Sequence, residues 1–204
     1  MTGEAGVPRR PRGRPGYSSA EMLRRSIEVF NERGFDATSV AYLAERLGVS
    51  KSAIFHHFDG KDAILAAALD EALGELTDLV ATARETDADS AYQRLRVTVN
   101  SAVLILVEHQ PAVTLLLRVR GNSEVELRAM QRRRDIDRQL ADLVSAAIAE
   151  GALRSDIDPD VVSRFMFGMV NSLTDWYRSG GSVDAAALAA DVSAVLFDGL
   201  SVGG

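Results

Sequence analysis

The chain has 204 residues, of which 47% are hydrophobic and 25% are charged, a balance typical of a globular protein with a substantial core. It contains no cysteine, which excludes disulfide frameworks, thiolate metal sites and cysteine nucleophiles. The net charge of −6 is unevenly divided: residues 1–62 carry ten Lys and Arg against eight Asp and Glu, whereas residues 63–204 carry 13 against 21. A basic beginning on an acidic body is typical of a protein that meets phosphate at one end.

The sequence predicts neither a signal peptide nor a membrane span. The charged N-terminus is not followed by an apolar segment of the kind that signal peptides need. The apolar runs, such as residues 102–107, are far too short to cross a bilayer. We therefore expect a cytoplasmic protein without a membrane partner.

Residues 1–17 are predicted to form a flexible basic arm, because prolines and arginines alternate in them. Within the arm, the string from Pro11 to Pro15 resembles an AT-hook core, in which Arg12 and Arg14 would lie along a narrow minor groove. The alternative is an ordinary basic tail that attracts phosphate without reading sequence. The arm also leaves open a second function, that of an A·T-binding architectural DNA protein.

Three short helices are predicted within residues 18–62. The first begins at a cap on Ser18 or Ser19 and ends at Gly34. The second begins at Thr38 or Ser39 and ends at Gly48. The third, capped by Ser50, covers residues 51–58 and is ended by the Asp-Gly pair that follows.

Residues 38–61 have the pattern of a helix-turn-helix. One set of apolar residues is spaced to form a small core that fixes the angle between the helices: Val40, Leu43, Ala44, Leu47, Val49 and Ile54. The opposite face of the second helix carries side chains that suit a major groove: Lys51, Ser52, Ala53, Phe55, His56 and His57. Phe55 can alternatively belong to the core. The two histidines cannot chelate one metal, because neighbours on a helix point about 100° apart.

Over residues 18–65 the chain resembles the TetR family of transcriptional regulators. The resemblance is carried by Gly48-Val49-Ser50, Ile54-Phe55, His57-Phe58 and Lys61. It implies an N-terminal helix-turn-helix domain followed by a C-terminal helical domain that dimerises and senses a small ligand. The segment from Gly168 to Gly181, around Asp175-Trp176-Tyr177-Arg178, further resembles a subset of these regulators that controls lipid or sterol breakdown.

The resemblance also implies roles for individual residues. Thr38 would cap the first helix of the motif and touch a phosphate, and Lys61 would contact a phosphate together with the amides of the next helix. Base edges would be contacted by Lys51, Ser52 and Ala53. The DNA backbone would be contacted by Phe55, His56 and His57. Two positions depart from the family, which usually has Tyr at Phe55 and often Gly at Ser52, so a phenolic phosphate contact is missing.

The rest of the chain is predicted to be helical throughout. Helices are expected at residues 61–84, 90–108, 111–120, 124–149, 159–179 and 184–200, which gives an all-α fold of about nine helices. The helix with the apolar run at 102–107 is expected in the middle of a bundle. We divide the chain into an arm (1–17), a helix-turn-helix DNA-binding domain (18–62) and a ligand-binding and dimerisation domain (63–204).

The last two helices are the predicted dimer interface. One recognition helix reads only a few base pairs, so a homodimer on a palindromic DNA site is expected. The candidate interface residues are apolar: Val162, Phe165, Met169, Leu173, Leu188, Val192, Val195 and Leu196. These residues cover more than one helix face, so some can instead be core of a single chain.

A ligand pocket is predicted between the helices at 95–108, 124–149 and from Pro159. Its candidate residues are Val103, Leu106, His109, Leu116, Met130, Phe167, Asn171 and Trp176. Most are apolar, which indicates a mainly hydrophobic ligand, and His109 can instead be a capping or solvated residue. The arginines at 132–134 can bind an anion such as a coenzyme A phosphate, but nearby aspartates favour a solvated, salt-bridged face.

The sequence therefore predicts a ligand-responsive transcriptional repressor in which ligand binding shifts the separation of two recognition helices. Neither catalysis nor a cofactor is expected, because the sequence has no phosphate loop, no nucleophile elbow and no metal-spaced cluster.

Overall fold

The structure is a computed structural model, and it describes residues 17–85 and 90–200. Those residues form an all-α fold without strands, as predicted. The nine helices are α1 (Ser19–Arg33), α2 (Val40–Leu47), α3 (Lys51–His57), α4 (Lys61–Glu85), α5 (Ala91–Glu108), α6 (Gln110–Arg118), α7 (Glu124–Ala149), α8 (Pro159–Trp176) and α9 (Ala185–Phe197).

Serine side chains begin the three N-terminal helices. The Oγ atoms of Ser18, Ser39 and Ser50 accept hydrogen bonds from the backbone N–H three residues later, at 3.1–3.2 Å. Thr38 is not the cap of α2, which corrects one of the two alternatives. Its side chain is buried, and its hydroxyl donates to the Gly34 carbonyl at 2.7 Å.

Gly48 makes the turn between α2 and α3. Its φ of 68° and ψ of 34° are left-handed, and its N–H donates to the carbonyls of Ala44 and Glu45. The next N–H, of Val49, also donates to Ala44, at 3.0 Å. Across this turn, the buried side chains of Leu43 and Ile54 fix the angle between the two helices, as predicted.

Replacing Gly48 with alanine should destabilise the protein by about 1 to 2 kcal/mol, because an L-residue is strained at this φ. A Cβ at Gly48 meets no atom within 4 Å, so the cost comes from the backbone alone. Gly74→Ala is the matched control: that glycine lies inside α4 with similar open space, and its replacement should stabilise by about 0.4 to 1 kcal/mol. Urea denaturation of both variants at one protein concentration tests whether their free energies of unfolding change in opposite directions.

The long helix α4 joins the N-terminal helices to the rest of the chain without a break. It packs against α1 at its beginning and against α5, α6 and α7 farther along. Buried side chains form one continuous core that extends from Phe30 through Leu65 and Leu73 to Leu140. Movements of the C-terminal helices can therefore reach the N-terminal helices through packed side chains.

Helix α5 lies at the centre of the C-terminal bundle, where it contacts α4, α7, α8 and α9. At His109 the chain turns by 95° into α6. In the part of the chain that the structure describes, no single helix is long and apolar enough to cross a membrane. Helices α5 and α6 reach the length and apolar character of a membrane span only when they are counted as one segment, although the bend at His109 separates them.

Three helices end earlier than predicted, at Arg118, Trp176 and Phe197. After α6, the Glu126 carboxylate accepts hydrogen bonds from the backbone N–H groups of residues 120–122 at 2.7–3.1 Å. These contacts hold residues 120–122 in a non-helical conformation. After α8, Tyr177 adopts an extended conformation that buries its ring. In both cases a tertiary contact overrides helical propensity.

Candidate DNA-binding surface and effector cavity

The outward face of α3 carries Lys51, Ser52, Phe55 and His56, all of them exposed. Their spacing of one, four and five residues keeps them on one side of the helix, opposite the buried Ile54. Phe55 is 53% exposed, so it belongs to this surface and not to the core. The face combines an ammonium, a hydroxyl, an imidazole and an aromatic edge, which are groups able to contact base edges and phosphates.

The other candidate DNA contacts are engaged within the chain or lie elsewhere. Ala53 is half-buried. His57 Nε2 lies 3.0 Å from the Tyr17 carbonyl, and Lys61 Nζ donates to the Phe35 carbonyl at 3.3 Å. Thr38 is buried, so its side chain does not present a phosphate contact. Arg12 and Arg14 lie outside the described residues.

Lys51 differs from Arg24 and Arg25 of α1 and from Arg46 of α2. Arg24 and Arg25 bind the Glu21 carboxylate, and these hydrogen bonds lower the Glu21 pKa to about 2. Arg46 pairs with Glu32 at 2.8 Å. In residues 17–85 and 90–200, by contrast, no ion pair or hydrogen bond engages the Lys51 ammonium. Its charge is therefore directed to solvent, where a phosphate or a guanine edge can meet it.

A cavity of about 50 Å³ lies between α4, α5, α6, α7 and α8. It is lined mainly by apolar side chains: Ala72, Leu73, Leu76, Ala102, Ile105, Leu106, Val113, Leu116, Leu117, Ile136, Phe167 and Val170. Its polar lining consists of Arg133, Asp137 and Asn171. Of the predicted pocket residues, the structure brings Leu106, Leu116, Phe167 and Asn171 together here.

The other four predicted pocket residues do not line this cavity. Val103 is packed within the core, and Trp176 is 55% exposed on α8. Met130 lies against the turn at Gly121. His109 points to α4, where its Nδ1 and Nε2 atoms each lie 3.3 Å from a carboxylate oxygen, of Glu71 and Glu75. Val103, Met130 and Trp176 lie on helices that line the cavity but not on the faces turned toward it.

The group around His109 also contains Glu108. The ligand atoms of Glu75, Glu108 and His109 lie within 4.8 Å of one another, a spacing that can hold a metal ion. The sequence did not predict this proximity, because Glu75 comes from a different helix. Both glutamates are exposed, and the His109 ring already contacts the carboxylates of Glu71 and Glu75, so polar contacts between α4 and the α5–α6 bend account for the arrangement.

Arg133 belongs to the arginine run at 132–134 that the sequence offered as an alternative anion site, and neither it nor Asp137 was among the predicted pocket residues. They lie one turn apart on α7 and face the cavity from one side. Burial raises the pKa of the Asp137 carboxyl, and the charges of Arg133 and Arg164 oppose that rise. The cavity therefore has one polar wall, which carries both a positive and a negative group.

Two helices connect the cavity to the N-terminal helices. α4 lines the cavity with Leu73 and Leu76 and begins at Lys61, after a three-residue connection from the end of α3. α6 lines it from another side and is hydrogen-bonded to α1 at Asn31. The Asn31 amide donates to the Pro111 carbonyl at 2.8 Å, and Arg118 donates to the Asn31 carbonyl at 2.6 Å.

Family models match both halves of the chain. Residues 22–68 match the model described as bacterial regulatory proteins, tetR family, and residues 88–200 match the model described as tetracyclin repressor-like, C-terminal domain. The chain belongs to the TetR family. This TetR-family protein is therefore a DNA-binding transcriptional regulator, and its two family matches correspond to the helix-turn-helix end and to the bundle from α5 to α9.

Known relatives of this TetR-family protein cover most of its length. The HTH-type transcriptional repressor KstR2 of Rhodococcus jostii is 28% identical over 191 residues, covering 89% of this chain and 90% of the relative. The structure of SCO3833, a TetR-family member from Streptomyces coelicolor A3, is 38% identical with a TM-score of 0.80, over 89% and 91% of the chains. AibR, in complex with isovaleryl coenzyme A and operator DNA, shares the fold at 21% identity and a TM-score of 0.72, over 88% and 98%.

This TetR-family chain exposes apolar side chains on α8 and α9. The largest are Val161, Phe165 (67% exposed), Trp176 and Val195. Other predicted interface residues are half-buried against the core, namely Val162, Met169 and Leu196. Leu173, Leu188 and Val192 are buried within the single chain, so their assignment to a dimer interface is corrected to the core.

Proposed function

We propose that this protein is a transcriptional repressor that binds a palindromic operator as a homodimer and is released by a small, mainly hydrophobic ligand. The observation that carries the proposal is the exposed face of α3, with an unpaired Lys51 beside Ser52, on a helix whose angle is fixed by Gly48 and Ile54. A short helix presented in this way suits the major groove.

The proposed dimer forms through the exposed apolar side of α8 and α9. Phe165 and Trp176 lie eleven residues apart, about three helical turns, so both fall on one side of α8. The exposed Gly168 lies between them and allows a second backbone to approach closely. Large apolar side chains at such positions mark interaction sites, and a two-fold axis through them would present two copies of α3 to one duplex.

The size of the cavity supports a link between ligand and conformation. Small-molecule pockets usually measure about 300 to 1,000 Å³, and an engineered cavity that holds benzene measures about 150 Å³. The present cavity of about 50 Å³ is smaller than either. An organic ligand must therefore move the lining helices apart, and α4 and α6 are two of those helices.

Movement of α4 and α6 would reach the DNA-binding helices by two routes. α4 carries α3 through the short connection before Lys61, and α6 holds α1 through the hydrogen bonds of Asn31. The ligand then favours a state in which the two recognition helices no longer match successive grooves. For each tenfold loss of operator affinity, the ligand must bind that state more favourably than the DNA-binding state by about 1.4 kcal/mol.

The relatives agree with this proposal. KstR2 is named a repressor, and AibR was solved with both an acyl coenzyme A and operator DNA. The acidic character of residues 63–204 also agrees with it, because it keeps that part of the chain away from phosphate.

Selection from random double-stranded DNA tests the proposal. The full chain should enrich a two-fold symmetric sequence. Lys51→Ala combined with Ser52→Ala should weaken binding to that sequence by about 10- to 100-fold and relax base preference near the centre of each half-site, since a good base contact contributes about 1 to 3 kcal/mol of discrimination. Fluorescence anisotropy at fixed salt measures both effects.

Arg46→Ala is the charge-matched control, because it removes one cation from an exposed position on α2 that is already paired with Glu32. It should lower all DNA affinities slightly and leave the preferred sequence unchanged. If the double variant selects the same sequence as the parent, α3 does not read the bases. Binding that follows A·T content alone would indicate the arm with Arg12 and Arg14 as the main contact.

A further inference from the structure

The arginines of α7 differ in whether they have partners. Arg128 pairs with Glu124, Arg132 with Asp70 at 2.7 Å, Arg134 with the Gln131 amide oxygen and Arg138 with Asp135. The salt-bridged face expected from the sequence is therefore present. Arg133 is the exception on this helix, because no hydrogen bond or ion pair engages its guanidinium among the described residues.

The unpaired Arg133 is the arginine of α7 that lines the cavity. Asp137 lies one turn away, a spacing that commonly forms an ion pair, yet the two interact only through their charges at longer range. The Arg133 side chain is half-buried, and its guanidinium donors are not used by other groups of the described residues. An anionic group that entered the cavity would accept hydrogen bonds from them.

We propose that the effector is an apolar molecule that ends in a carboxylate, and that Arg133 binds this carboxylate with its planar guanidinium. The inference rests on the proposed function, since it names the ligand class of the same cavity. A carboxylate matches the two parallel N–H donors of arginine. The Asn171 amide, on α8, can donate a further hydrogen bond, while the apolar wall receives the body of the ligand.

Asp137 limits the charge that the site accepts. Its carboxylate adds negative charge to the polar wall, so a doubly charged phosphate would be opposed more strongly than a singly charged carboxylate. The burial that raises the Asp137 pKa also makes its negative charge unfavourable beside a second one. Arg133 therefore attracts the ligand and Asp137 opposes it, and variants of the two should have effects of opposite sign.

A surface cleft adjoins the cavity between α6 and α8. This cleft, of about 630 Å³, shares Leu117 and Asn171 with the inner cavity. The charged residues that line the same cleft are Arg118, Arg178 and Asp175, so positive charge prevails there by one. A carboxylate can thus pass two cations on its way to Arg133, which favours anionic ligands in the encounter as well as in the bound state.

Titration calorimetry on the full, ligand-free protein tests the assignment. The probes are straight-chain carboxylates from butanoate to palmitate, benzoate and cholate, each compared with its methyl ester and its coenzyme A thioester. At least one free acid should bind more tightly than both derivatives. For that acid, Arg133→Gln should weaken binding by about 10- to 100-fold, since hydrogen bonds to charged groups have this strength. Asp137→Asn should strengthen it several-fold.

Arg134→Gln is the matched control, because Arg134 is exposed and points away to Gln131; it should change nothing. Melting temperatures of all variants show whether they remain folded. The proposal is overturned if no carboxylate binds, if an ester or thioester binds as tightly as its acid, or if the Arg133 and Asp137 variants shift affinity in the same direction. The operator selection uses ligand-free protein, so failure there would count against the proposed function and not against this ligand class.

Discussion

Replacing Phe165 with aspartate should convert the protein to a monomer and lower its operator affinity about a thousandfold, toward the level of non-specific binding. Phe165 is the most exposed large apolar side chain within α8. In a two-fold interface the substitution occurs twice, and each new carboxylate would lose its hydration among apolar groups. Analytical ultracentrifugation gives the oligomeric state, and anisotropy with the selected operator gives the affinity.

Leu127→Asp provides a matched control. Leu127 is 53% exposed on α7, outside the proposed interface, so the same change of chemistry should leave both the dimer and operator binding intact. A Phe165→Asp protein that still sediments as a dimer would move the interface away from α8. A monomer that retains full operator affinity would contradict the proposal that the two subunits each contact one half-site of the operator.

Glu126→Ala should destabilise the protein by about 3 to 5 kcal/mol, the largest stability effect that we expect from a single side chain. The residue is 3% exposed, and its Oε2 atom accepts hydrogen bonds from the backbone N–H groups of Arg120, Gly121 and Asn122. Removing the carboxylate leaves these donors without their partner. Urea denaturation at matched protein concentration measures the loss, because dimerisation makes stability depend on concentration.

Glu124→Ala separates this role from a general effect of charge at the beginning of α7. Glu124 is highly exposed, and its one ion pair, with Arg128 at 3.6 Å, is exposed too. Because exposed ion pairs contribute little, the loss of Glu124 should change the free energy of unfolding by less than about 0.5 kcal/mol. Glu126→Gln keeps one oxygen acceptor but loses the charge, and its stability should fall between those of the parent and Glu126→Ala. Equal stability of Glu126→Gln and the parent would show that charge assistance contributes nothing.

Local features of the fold were readable from the sequence because their causes are local. Ser50 and Gly48 bracket the helix-turn-helix with a cap and a left-handed residue, and both signals lie within one turn of the structure they create. The beginnings and ends of α5 and α7 were predicted for the same reason. The face of α3 followed from the periodicity around Ile54.

The cavity and the interface could be predicted only by helix and not by face. α8 is apolar on more than one side, and packing against α5 and α7 decides that Leu173 turns inward while Trp176 turns outward. The role of Arg133 depends on the partners that its neighbours find, such as Asp70 on α4 for Arg132. Such pairings join residues 62 positions apart, which no local pattern encodes.

The two hydrogen bonds at Asn31 bear on how far the parts of this protein can be exchanged. A hybrid that joined residues 17–60 to the sensing helices of another regulator would preserve the covalent joint at α4 but would lose the partners of Asn31 on α6. Such a hybrid would still recognise DNA, yet one of its two mechanical links to the sensor would be missing. A DNA-binding unit that is exchanged between regulators without loss of signalling must therefore include α6. In the sequence, α6 lies about eighty residues after Asn31.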